Sequence, residues 1–178
     1  MSDVWGFRDG VSERAATLQP LGFTERQARF LVTVMLHSGV FLERQYCRFA
    51  GITHGQKTHD FIERLVRRGF AREVRPGALH RGRLYHVHHK RLYGLIGQTD
   101  NRHRRRAPLS RMVERLMLLD AVLDDREFMW LGTEADKSRY FLLRLAEYRI
   151  ERRELPHLTF ATSRGAASPV ALPEGRPE

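Results

Sequence analysis

The stretch Gly51-Ile52-Thr53-His54-Gly55-Gln56-Lys57-Thr58-His59-Asp60-Phe61-Ile62-Glu63-Arg64-Leu65-Val66-Arg67-Arg68-Gly69-Phe70 decides the fold. It opens on a glycine-bounded turn. Thr53-x-x-Gln56 then predicts a capping box, in which the threonine and glutamine side chains each bond the other's backbone N–H. The helix that follows is expected to run to about Arg68, with Gly69 as its stop. On a wheel of about 100° per residue, Phe61, Ile62, Leu65 and Thr58 fall on one side. Gln56, Asp60, Glu63 and Arg67 lie opposite, flanked by His59 and Arg64, with Lys57 at the other flank. One face is built for a core and the other for water or a polar partner.

Working upstream, Leu42 to Ala50 reads as a short helix with Leu42, Tyr46 and Phe49 on one face, ended by Gly51. Before it, Thr24-Glu25-Arg26-Gln27 is a capping box for a helix over residues 25–38, whose Ala28, Leu31, Val32, Met35 and Leu36 recur at helical spacing. Residues 1–23 carry few periodic signals. A short helix over Val11 to Leu18 is broken by Pro20-Leu21-Gly22, and Trp5 and Phe7 are expected to pack on the domain. Downstream, Phe70 to Arg75 and Leu84 to His88 read as two strands of a hairpin, with a Pro76-Gly77 turn and a basic tip ending at Arg83. Lys90 to Ile96 supplies one or two helical turns.

The remainder divides into a linker over residues 97–108, a helical region over 109–160 and a tail over 161–178 expected to be disordered. Within the helical region a long helix spans Leu109 to about Arg126, Phe128 to Leu131 is a short apolar run read as a strand, and Thr133 caps a helix to about Arg149. The expected fold class is mainly α with a small antiparallel β-hairpin. Its first domain, residues 24–96, precedes a C-terminal helical region.

The chain has 178 residues, 42% of them hydrophobic, with 31 Lys+Arg against 21 Asp+Glu for a net charge of +10. The apolar fraction is enough for a core, which excludes full disorder. No stretch approaches the roughly 18 apolar residues of a membrane span, and no signal-peptide pattern opens the chain. The single cysteine, Cys47, excludes an internal disulfide framework and a multi-cysteine zinc site. These features point to a cytoplasmic protein, nucleoid-associated in a bacterium. All but 3 of the 31 bases are arginines, whose guanidinium forks match phosphates and guanine edges. From Val40 to Ser110 there are 16 bases against 5 acids, whereas the rest of the chain is nearly neutral. Such concentration is the footprint expected of a nucleic-acid contact.

Helix, short helix, turn, helix, hairpin is the layout of a winged helix-turn-helix domain. Thr24-Glu25-Arg26-Gln27, the third helix ending Leu65-Val66-Arg67-Arg68-Gly69-Phe70, and a glycine- and arginine-bearing wing together resemble the winged-helix transcription regulators. They are similar to MarR-like repressors and to the replication-relaxation proteins of mobile elements. The resemblance covers residues 24–96 and implies non-enzymatic binding of double-stranded DNA, commonly as a dimer, by a transcriptional regulator or a mobile-element accessory factor.

In that arrangement the third helix enters the major groove, and its N-terminal residues Gln56, Lys57, His59 and Asp60 are the candidates for base contact. Arg64, Arg67, the wing residues Arg75, Arg81 and Arg83, and Arg104 and Arg105 of the linker are candidates for phosphate. Asp60 and Glu63 are discordant on such a face unless arginines of the same helix pair with them. They favour an alternative in which the winged fold is a protein-interaction module of a larger DNA-processing complex. In the C-terminal half Leu109, Met112, Leu116, Leu119 and Leu123 are spaced as a heptad seam, expected either to pack on the chain's own domain or to form a homodimer interface.

Other chemistry finds little support. His86 and His88 share a strand face, but neither they nor His89 have a carboxylate or cysteine at a recognised ligand spacing, so no metal and no cofactor is expected. Cys47 is read as a small buried side chain. No phosphate loop, nucleophile elbow or zinc-protease motif occurs, and nothing around Tyr85 or Tyr93 marks a nucleophile.

Overall fold

The computed structural model describes residues 7–74, 82–125, 128–151, 154, 157–161 and 167–171. Residues 1–128 and 129–178 form two compact units. The first unit is built on α2 (Glu25–His37). Its capping box forms as expected: the Thr24 hydroxyl accepts from Gln27 N at 3.3 Å, and Gln27 Oε1 accepts from Thr24 N at 3.1 Å. Ahead of it, α1 (Phe7–Leu18) and a 3-10 turn (Gln19–Leu21) pack on α2, so this segment, nearly silent in sequence, places Ala15 and Leu18 in the core. Trp5 and the Phe7 side chain lie outside the described residues.

After α2 come β1 (Val40–Leu42), α3 (Glu43–Ala50), α4 (Gln56–Arg67), β2 (Ala71–Val74) and β3 (Leu84–Val87). The hairpin of β2 and β3 forms with Val74 opposite Leu84 and Ala71 opposite Val87. Strand β1 was not foreseen. It pairs antiparallel with β3, Phe41 opposite Tyr85, giving a three-stranded sheet in the order β1-β3-β2. A three-residue strand has no periodicity to detect, and its partner lies more than forty positions away.

The register sorts side chains between two faces. Phe41, Tyr85, Val87 and Ala71 turn toward the main helical core around Phe30, Leu31, Met35, Phe61 and Leu65. Val40 and Leu84 turn the other way, toward α6 (Leu109–Asp124), where Met112 and Leu116 close a second cluster. All four residues of β3 are therefore buried. A strand covered on both faces reads as a continuous apolar run, not an alternating one.

This covering bears on two expectations. Met112, Leu116 and Leu119 of the heptad seam are buried in their own chain, Leu119 fully, and Leu123 packs against the same core. Leu109, at the start of α6, is 40% exposed. Most of the seam thus covers the sheet and α2, the first of the two arrangements its spacing allows. The basic segment 97–108 is also no free linker. After α5 (Lys90–Leu95) it forms a 3-10 turn, Arg102–Arg104, that buries His103 at 5% exposure.

The run Phe128 to Leu131, where the first unit ends and the second begins, is not a strand. In the second unit the Thr133 hydroxyl accepts from Asp136 N at 3.0 Å and caps α7 (Glu134–Glu147), none of whose residues is buried. Residues 157–161 and 167–171 depart from the expected helical region and disordered tail: β4 (His157–Ala161) pairs antiparallel with β5 (Ala167–Ala171). Among the described residues no helix is long and apolar enough to cross a membrane.

Candidate nucleic-acid interface

Helix α4 carries the candidate surface. Phe61 anchors it in an aromatic cluster, with ring centroids 4.3 Å from Tyr46, 6.2 Å from Phe23 and 6.3 Å from Phe30. Ile62, Leu65 and Thr58 complete the buried face, and the Thr58 hydroxyl lies 3.3 Å from the Cys47 sulfur, which is itself buried. The opposite face is open: Gln56, Lys57, His59, Asp60, Glu63 and Arg67 are exposed and Arg64 is half-buried. The wheel read from sequence thus assigns the buried and exposed sides correctly, but Lys57 lies on the same flank as Arg64 and not on the other one.

The start of α4 differs. Its N-cap is Gly55, whose carbonyl accepts from the backbone of Thr58 and His59. Thr53 sits two positions too early to cap, so the predicted Thr53–Gln56 box does not form. Gln56 instead donates from Nε2 to Asp60 Oδ1 at 2.5 Å. This bond and the Glu63–Arg67 pair at 3.8 Å give both discordant acids a partner on their own helix. The acids therefore present less bare negative charge than their types suggest.

The turn before α4 is tied by Glu43, in the first turn of α3. Its carboxylate is 2.6 Å from His54 Nε2 and accepts from the Tyr85 hydroxyl at 2.9 Å. Partial burial pushes the Glu43 carboxyl up, but the bonds from His54 and Tyr85 outweigh it and hold the group below its ordinary range. Tyr85 moves the other way, to about 12, through burial and the neighbouring Glu43 charge. One carboxylate thus joins α3, the turn and the central strand at the base of the hairpin. At the other end of α4, Arg64 donates to the Gly22 carbonyl at 2.6 Å and Arg68 to the Leu21 carbonyl.

The hairpin supplies Arg83, exposed just before β3, while Arg75 and Arg81 lie outside the described residues. The basic turn is positioned elsewhere. His86 Nε2 is 3.0 Å from the His103 carbonyl, and Gly39, at φ +73°, lies so close that an added Cβ would stand 2.4 Å from that oxygen. Arg104 donates from Nε to the Thr99 carbonyl at 3.0 Å, and Arg105 and Arg106 are exposed. This turn docks beside Gly39, just past the C-terminal end of α2, whereas α4 packs on α2 through Phe61 against Phe30.

His86 is fully buried, and burial drives it down to about 4; His103 falls to about 3 for the same reason. Both are neutral at ordinary pH and serve the docking of the turn. Among the described residues no group of three or more His, Cys, Asp or Glu is arranged to hold a metal ion.

Beside α4 lies a cleft of about 790 Å³ between the N-terminal half of α2, the end of α3 and one flank of α4. Lys57, Asp60 and Arg64 line it from α4, and Arg26 and Arg29 line it from α2. The two α2 arginines were missed by sequence reasoning. Their signal was present, because both fall on the polar side of α2 opposite Ala28, Leu31 and Met35, but nothing in the pattern says which neighbour that side meets.

No family model, curated protein or solved structure significantly matches the chain.

Proposed function

We propose that the protein binds double-stranded DNA as a winged helix-turn-helix module without enzymatic activity, serving as a transcriptional regulator or an accessory factor of a mobile element. The observation that carries this reading is α4: one face is locked into an aromatic core, and the other is solvent-facing and polar from Gln56 to Arg67. The order α2, β1, α3, α4, β2, β3, mainly helical with a small antiparallel sheet, is compatible with this reading. A helix held at one face and free at the other suits a major groove, which is wide enough to admit it. The excess of positive charge between Val40 and Ser110 supports the same partner.

Gln56, His59 and Arg67 face outward for base contact, and Arg83 stands at the wing base for phosphate.

The test is selection of bound duplexes from a random library, followed by titration of the selected duplex at several salt concentrations. A selected motif and a steep fall of affinity with salt are expected. Absence of duplex binding at low salt overturns the reading and leaves the surface to a protein partner.

A further inference from the structure

The cleft beside α4 makes a statement that the helix alone does not. Lys57, Asp60 and Arg64 are spaced three and four residues apart, so they form one stripe along a flank of α4. That stripe is rotated by about 80° from the outward stripe of Gln56, His59, Glu63 and Arg67. Across the cleft stand Arg26 and Arg29 of α2. Four cations therefore meet in one concavity, with Glu25 and Asp60 as its acids. Each acid is already engaged: Glu25 pairs with Arg29 at 3.7 Å, and Asp60 accepts from Gln56. The N-terminus of α2, at Thr24 and Glu25, opens into the same space and adds the positive end of its dipole.

Two of the cations are pre-aimed. Arg26 donates one guanidinium nitrogen to the Ala50 carbonyl at 2.8 Å, and Arg64 donates one to the Gly22 carbonyl at 2.6 Å. Each has further N–H donors, and a side chain already anchored loses little freedom when it binds.

We infer that this cleft seats one phosphodiester strand of the duplex, with Arg26, Arg29, Lys57 and Arg64 as its phosphate contacts. The inference rests on the duplex-binding reading of α4 and assigns the strand to a particular surface. The dimensions require such a surface. A helix with its side chains is about 10–12 Å across and the major groove is about 12 Å wide, so a helix filling the groove has backbone against its flanks. On this flank the wall is concave and basic. Lys57, placed on that wall, contacts phosphate. Base reading falls to Gln56, His59 and Arg67.

The experiment uses the full chain and a duplex chosen by library selection, with affinity measured from low to high salt and fold checked by circular dichroism. Arg29→Gln and Lys57→Gln are each expected to weaken selected and scrambled duplexes alike, about fivefold near 150 mM salt, and to lower the log–log salt slope by about one. Asp60→Asn is expected to tighten every duplex. Gln56→Ala should change sequence preference and leave the slope intact. If Arg29→Gln and Lys57→Gln keep the wild-type slope while Gln56→Ala still alters preference, the cleft does not hold the strand, although α4 still binds DNA. If none of the four substitutions changes DNA binding, the duplex reading of α4 falls with it. A nucleoside monophosphate that binds wild type but not Arg29→Gln, with duplex affinity equal in the two, makes the cleft a small-ligand pocket and also overturns the inference.

Discussion

Gly39→Ala tests how the basic turn is held. Two costs add at this position. Gly39 has φ +73°, where an alanine is strained by roughly 1–2 kcal/mol. The new Cβ would also stand 2.4 Å from the His103 carbonyl oxygen and 2.8 Å from the His103 Cβ, so the turn must move away. Moving it breaks the bond from that oxygen to His86 Nε2, worth about 1 kcal/mol, and strands a buried imidazole at about 1–3 kcal/mol more. The expected loss is about 3–6 kcal/mol.

Gly69→Ala is the control. Its φ is +67° and nothing lies within 4 Å of its Cβ position, so it bears the strain without the collision. Its cost should stay near 1–2 kcal/mol. Urea denaturation followed by far-UV circular dichroism at pH 7.5 measures both. Trypsin gives a second readout, because an undocked Arg102–Arg106 segment is cleaved faster than a docked one. Equal losses for the two variants, with unchanged cleavage at Arg102–Arg106, would refute the docking of the turn against α2.

Stability should fall as pH drops below about 6.5. His86 and His103 are held neutral in the folded chain, at about 4 and about 3, while the unfolded chain takes up protons near 6.5. Their stabilisation is complete above 6.5 and is lost toward 4, by on the order of 2 kcal/mol per histidine between pH 7 and 5. His86→Gln should lower stability at pH 7.5 and flatten this slope; an unchanged slope in urea melts across pH would count against the burial argument. Glu43→Gln replaces a carboxylate that bonds both His54 and Tyr85, and should cost about 1–3 kcal/mol and weaken duplex affinity through a looser turn before α4. Unchanged melts and affinity would show that the tie does not matter. Leu119→Ala removes a fully buried side chain of α6 and should cost about 2–5 kcal/mol with no change in sedimentation behaviour. A change of oligomeric state without loss of stability would restore the seam to an interface.

Local chemistry was legible in the sequence. Thr24 and Gln27 form their box because both partners lie within one turn. The core and solvent faces of α4 follow from helical spacing, and the β2–β3 pairing follows from two strand-like segments, whose Pro76-Gly77 turn lies outside the described residues. Even the silence of the N-terminal segment had a local cause, since among the described residues α1 buries a narrow stripe through Ala15 and Leu18.

What tertiary structure decided was the identity of each buried face's neighbour. The leucine spacing of α6 announces that a face will be covered, and a heptad is as compatible with a second chain as with a sheet. Only the pairing of β1 with β3 creates the second sheet face, of Val40 and Leu84, that α6 covers. The run Arg102–Arg106 looked like a free arm because five residues of mostly like charge promise solvation. His103 in their midst is buried by a contact with Gly39 and His86 that no local pattern encodes. Arg26 and Arg29 looked like an ordinary solvated helix face until α4 was placed beside them. Periodicity reports that a side chain is turned in or out; which surface it meets depends on contacts between residues far apart in the chain, and those exist only after folding.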